Sequence, residues 1–98
     1  MKRRREGMEE IRRLRQRIDT IDDQLLKILS RRAELAIRVG GVKERTGLAA
    51  KSSDREREIL RRITEANEGP LDDSSVRRIF RLIVQESRRA AIRERRRK

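Results

Sequence analysis

Ninety-eight residues, 34% of them apolar and with Phe80 the sole aromatic, make one small domain with little material to offset its own ordering entropy. The formal charge is +12, and His and Cys are both absent, which excludes disulfides, Cys/His metal sites, thiol nucleophiles and His-based triads. Such a balance favours anionic partners, and a fold of this composition calls for apolar surface borrowed from a second copy.

Residues 1–7 read as a basic tail, with "KRRRE" at 2–6 contributing +3. Charged helix follows it rather than an apolar stretch, so neither a secretory signal nor a membrane span is expected, and a cytoplasmic location is. At the other end "RERRRK", residues 93–98, contributes +4, leaving +5 for the body between. Both tails suit solvated helix ends, and both also suit phosphate contacts with nucleic acid.

Residues 8–92 form the domain proper. Ile11, Leu14, Ile18, Ile21, Leu25, Ile28, Arg32, Leu35, Val39 and Val42 follow one another in steps of 3 and 4. That heptad seam predicts a helix from about residue 8 to 45, ~57 Å long at 1.5 Å per residue. So long a helix in so short a chain calls for a partner, most simply the same helix of another subunit. The regularity of this spacing also argues against the disorder that the composition alone suggests.

"TGLAAKSS" at 46–53 breaks the pattern as a loop. Ser53 with Glu56 has capping-box spacing at the head of a second, short helix carrying Ile59, Leu60, Ile63 and Ala66. "NEGP" at 67–70 ends it, with Gly69 as the stop and Pro70 forbidding continuation. Asp72 or Asp73 then caps a third helix with Val76, Ile79, Phe80, Ile83, Ser87 and Ala90/Ala91 on one face.

Within the seam, Arg32 stands where an apolar residue is due, and Val39 and Lys43 share its face. A cation there either pairs with a carboxylate across a dimer or lines a pocket that receives an anion. Gly40 and Gly41, each costing roughly 1 kcal/mol against alanine in a helix, serve close packing or make room for a ligand. Ser87 interrupts the third helix's apolar stripe, bonding back to a carbonyl or facing the same pocket. Arg15 lies about 100° around the helix from Arg32 and can reach a site on an antiparallel partner. Cations with one or two hydroxyl and carboxylate groups, and no acid–base or nucleophilic machinery, suit unimolecular rearrangement of a polyanion, or plain anion binding.

The order of these residues resembles the all-helical (AroQ-type) chorismate mutases over about residues 10–91. "LRQRIDTIDDQLLKILSRRAELAIRVGGVK", "DRERE" and "RRIFRLIVQES" carry the resemblance, three separated blocks matching in order and distance. It implies an all-α fold of three helices forming an intertwined homodimer, with two active sites built from both chains. It implies rearrangement of chorismate to prephenate, in aromatic amino-acid biosynthesis, without cofactor, metal or covalent intermediate. On this resemblance Arg15 is donated across subunits to a substrate carboxylate, and Arg32 binds a carboxylate in its own site. Lys43 sits near a carboxylate and the ether oxygen. Arg55 and Glu56 match the family's Arg-Glu pair, the glutamate facing the substrate hydroxyl, and Ser87 matches a serine near a carboxylate.

The chain departs from the family pattern at two positions. Ser52 stands where an aspartate is common, and Ala91 where a glutamine or glutamate donates to the ether oxygen. Losing such a donor typically costs about 10²–10³ in rate. Glu94 lies one turn further out on that face, and Gln85 points to another side. Alternatives within the fold are an isochorismate-pyruvate lyase and a weak or partner-dependent mutase, the G-x-x-K and Arg-Glu spacing favouring the mutase. A basic helical nucleic-acid-binding dimer is disfavoured by the lack of aromatic platform, zinc motif or helix-turn-helix spacing.

Overall fold

The computed structural model describes residues 1–49 and 53–97. Three helices follow in chain order, α1 (Lys2–Thr46), α2 (Ser53–Ala66) and α3 (Asp73–Arg97), and no strand occurs among the described residues. The fold is all-α, long, short, medium.

Helix α1 starts six residues before the expected point near residue 8. The seam begins only at Ile11, but Lys, Arg and Glu are good helix formers and carry the helix back to Lys2 without an apolar face. Its first turn holds no acidic residue, so nothing there complements the positive end of the helix dipole. The C-terminus is closed by the chain itself. Gly47 takes φ +72°, and the Leu48 N–H donates to the Lys43 carbonyl at 3.0 Å, the 6→1 bond of a Schellman cap. The Thr46 hydroxyl donates to the Val42 carbonyl at 2.8 Å.

Helix α2 includes Ser53 as its first residue, so Ser53 stands inside the helix and is not the cap expected there. Asp54 and Glu56 in its first turn complement the helix dipole. Its end comes at Ala66, before Gly69, because Asn67 organises the turn. The Asn67 side-chain amide donates to the Leu71 carbonyl and to Asp73 Oδ1, each at 2.9 Å, and its Oδ1 accepts from the Gly69 N–H at 3.0 Å. Gly69, at φ +82°, then supplies the left-handed step that a side chain would resist.

Between the two candidates for the α3 cap, the fold selects Asp72. Its Oδ1 accepts the Ser75 N–H at 2.7 Å and its carbonyl accepts the Val76 N–H at 3.0 Å. That backbone hydrogen bond, with a contribution from the Ser75 hydroxyl, holds the Asp72 carboxyl below its ordinary value. A lowered folded-state pKa means stability that is present above the unfolded value and is lost as pH falls through the folded one. Asp72→Ala is therefore expected to lower the Tm at neutral pH, whereas Asp72→Asn, an equally good cap, retains it. In thermal melts below pH 4, wild type should lose its advantage over Asp72→Ala, and Asp72→Asn should not.

The chain divides into two units, Met1–Arg31 and Arg32–Lys98. In the first, the apolar seam of α1 is open, and over its whole length the apolar seam residues are 44–59% exposed on the single chain. In the second, the end of α1 meets α2 and α3. Ile59, Val76 and Ala91 form its small buried apolar core, and Ser87 is buried with them. Ile79, expected on the inward face of α3, is instead 45% exposed, because Val76, Phe80, Ile83 and Val84 occupy the packed side.

Candidate active site

Within the second unit the three helices enclose a cavity of about 320 Å³, the lower end of the size range of small-molecule sites. Helix α1 contributes Arg32, Leu35, Ala36, Val39, Gly40 and Lys43, a single face at steps of 3, 4 and their sums. Helix α2 contributes Arg55, Glu56 and Ile59, and α3 contributes Val84, Ser87, Arg88, Ala91 and Arg95. The seam interruption is thus the cavity wall. The same register that places Leu35 and Val39 on the cavity wall carries the guanidinium of Arg32 and the amine of Lys43.

The Arg32 Nη1 donates to Ser87 Oγ at 2.8 Å. This bond joins the two residues within the single chain. Arg32 pairs with no carboxylate among the described residues, and Ser87 turns its hydroxyl to Arg32 instead of to a carbonyl of its own helix. Burial, and then the neighbouring cations Arg55 and Arg62, push the Arg32 guanidinium below its ordinary value. The charge is held at some cost, which an incoming anion relieves.

Glu56 does not turn back to Ser53 but faces Arg88 across the α2–α3 interface at 3.5 Å, each side chain 31% exposed. A cationic partner is the stronger competitor for a carboxylate than a neutral N–H. Gly40 owes its place to packing. A Cβ built there stands 3.4 Å from Ala91 Cβ, so α1 and α3 pass with two of the smallest residues face to face. Gly41 has only the far end of Arg45 near it, at 3.8 Å.

Of the residues singled out in the sequence, the fold brings Arg32, Lys43, Arg55, Glu56, Ser87 and Ala91 around one cavity. Arg15 belongs to the first unit, beside Met8, Ile11, Arg12, Gln16 and Asp19. Ser52 lies outside the described residues. Glu94 and Gln85 are not in the lining, but Arg88 and Arg95 are, and sequence reasoning passed over both. Their only signal was register: Arg88 and Arg95 stand four residues after Val84 and Ala91, hidden among the chain's many other arginines.

Five cations and one carboxylate thus surround walls of Leu35, Val39, Ile59 and Val84, a site for a compact anion with an apolar body. Fold and site together define an all-helical protein with a cation-lined pocket between its three helices. The family model for chorismate mutase type II matches residues 14–92. A chorismate mutase of Thermus thermophilus superposes with a TM-score of 0.79 at 32% identity, over 80% of this chain and 89% of that one. The chorismate mutase of Methanocaldococcus jannaschii is 28% identical over 82 residues, 83% of each chain. A bifunctional chorismate mutase/prephenate dehydratase of Neisseria gonorrhoeae is 46% identical over 72 residues, 74% of this chain. The chain spans about a fifth of the length of such bifunctional relatives. It belongs to the type II chorismate mutase family.

Proposed function

We propose that the chain is a chorismate mutase, rearranging chorismate to prephenate in the cytoplasm, on the route to the aromatic amino acids. The observation that carries this reading is the cavity, whose five cations face one carboxylate on apolar walls. The reaction breaks one C–O bond and forms one C–C bond within a single molecule, and no proton, electron or group leaves. It requires the dianion held in a reactive conformer and positive charge where the ether oxygen gains electron density. Arg32, its fork oriented by Ser87, and Arg55 bind carboxylate. Lys43 serves the second carboxylate and the ether oxygen, and Glu56, oriented by Arg88, accepts from the substrate hydroxyl. Purified protein is expected to consume chorismate and yield prephenate, followed by chromatography of the products. Consumption no faster than the uncatalysed rate overturns the reading, as does release of pyruvate.

The reading includes a homodimer. Its support is the open apolar seam of α1 and the absence of Arg15 from the cavity's lining. With Arg15 contributed by a second copy, each site needs Arg15 from one chain and Lys43 from the other. Arg15→Ala and Lys43→Ala are then each inactive alone. In an equal mixture, unfolded and refolded together, half of the dimers are mixed, and each mixed dimer carries one intact site. About a quarter of wild-type activity should return. No recovery would show that Arg15 acts in its own subunit.

A further inference from the structure

The geometry points to Arg95 as a further catalytic residue, donating beside Lys43 to the negative charge that develops at one end of the cavity. This inference rests on the mutase reading above. Two contacts fix how α1 and α3 run past one another. Arg32 meets Ser87, and Gly40 meets Ala91, so both helices advance in the same direction along the cavity. Lys43 follows Gly40 by three residues and Arg95 follows Ala91 by four. Both cations therefore stand about one turn beyond the Gly40–Ala91 contact, at the end of the cavity away from Arg32.

Helical side chains lean toward the N-terminus and cover the preceding turn. For Arg95 that turn is Ala91, whose side chain is a single methyl group, and Arg95 is half-buried and lines the cavity. Its neighbour Arg96 is exposed and absent from the lining, so a solvated C-terminal charge run does not account for Arg95. No carboxylate is paired with Arg95 among the described residues, which leaves its donors for a ligand. Five planar donors make it suited to hold a carboxylate edge or an ether oxygen as charge accumulates there.

Arg95→Met, which keeps the length and apolar stem, is expected to lower kcat about 10²-fold, the loss typical of one transition-state donor. KM should change less than kcat, and the circular dichroism and dimer mass should match wild type. Arg95→Lys, retaining charge without the fork, should recover part of the lost kcat. An active wild type with Arg95→Met equal to it in kcat and KM overturns the role of Arg95 alone. A rise confined to KM in Arg95→Met and absent in Arg95→Lys likewise overturns it, leaving only general attraction of the anion. Should Arg95→Met fail to fold, Arg95→Gln replaces it with the same expected fall in kcat. A wild type that leaves chorismate unchanged sinks the mutase reading itself, a result distinguishable from either of these.

Discussion

Lys43→Ala is expected to lower kcat/KM by about 10²–10³-fold or more while leaving the helices and the dimer as they are. The side chain is half-buried on the cavity wall, and its position lies in the last turn of α1. What Lys43 contributes to that turn is its backbone carbonyl, which accepts the Leu48 N–H in the Schellman cap. Alanine keeps this carbonyl and is the better helix former, so the fold has no reason to suffer. The reaction has every reason to. A cation set in an apolar-walled cavity acts on developing charge without solvent reorganisation, and removing one such donor typically costs about 3–4 kcal/mol of transition-state stabilisation. Lys43→Arg restores charge but with a planar fork on a longer arm, so partial activity is expected. Steady-state kinetics beside circular dichroism check both. A fall of less than tenfold in Lys43→Ala would remove Lys43 from the chemistry, and a loss of helicity would make it structural.

Ile21→Asp is expected to disperse the dimer and to abolish activity with it. Ile21 lies in the middle of the first unit's seam, flanked one turn each way by Ile18 and Leu25, and is 59% exposed on the single chain. In a two-fold assembly each substitution enters the interface twice. An uncompensated buried carboxylate costs roughly 3–5 kcal/mol, and two of them exceed what a small assembly can spare. The single chain has little to fall back on, because only Ile59, Val76 and Ala91 are apolar and buried within it among the described residues. Sedimentation should show the monomer mass, and circular dichroism should show lost helicity. Asp23→Ala, on an exposed position off the seam, should change neither. A fully dimeric, active Ile21→Asp would mean that the seam is not the interface.

The sequence reading anticipated what depends on neighbours along the chain. The heptad steps placed α1, the Pro/Gly punctuation separated α2 from α3, and the periodicity set Arg32 and Lys43 on one face. These are local properties, because a helix's register follows from counting residues. The same reading proposed the cavity's walls through the resemblance, and six of its eight positions line one cavity.

Contacts between helices were not legible in this way. Register alone leaves Ser87 between a backbone bond and the pocket, allows Glu56 a capping role beside a site role, and does not single out Arg88 and Arg95 among many arginines. Each was decided by how α1, α2 and α3 approach one another, at sequence separations of 55 for Arg32–Ser87 and 32 for Glu56–Arg88. By itself, then, the sequence determined the three helices, their order and the cationic face of α1, since hydrogen bonds and periodicity within each helix suffice for those. Only the tertiary structure decided that Arg32 holds Ser87, that Arg88 holds Glu56, and that Arg95 reaches the cavity. The close passage of Gly40 against Ala91 sets the relative register of α1 and α3, and with it the Arg32–Ser87 contact and the place of Arg95, while Glu56–Arg88 depends on the packing of α2 on α3.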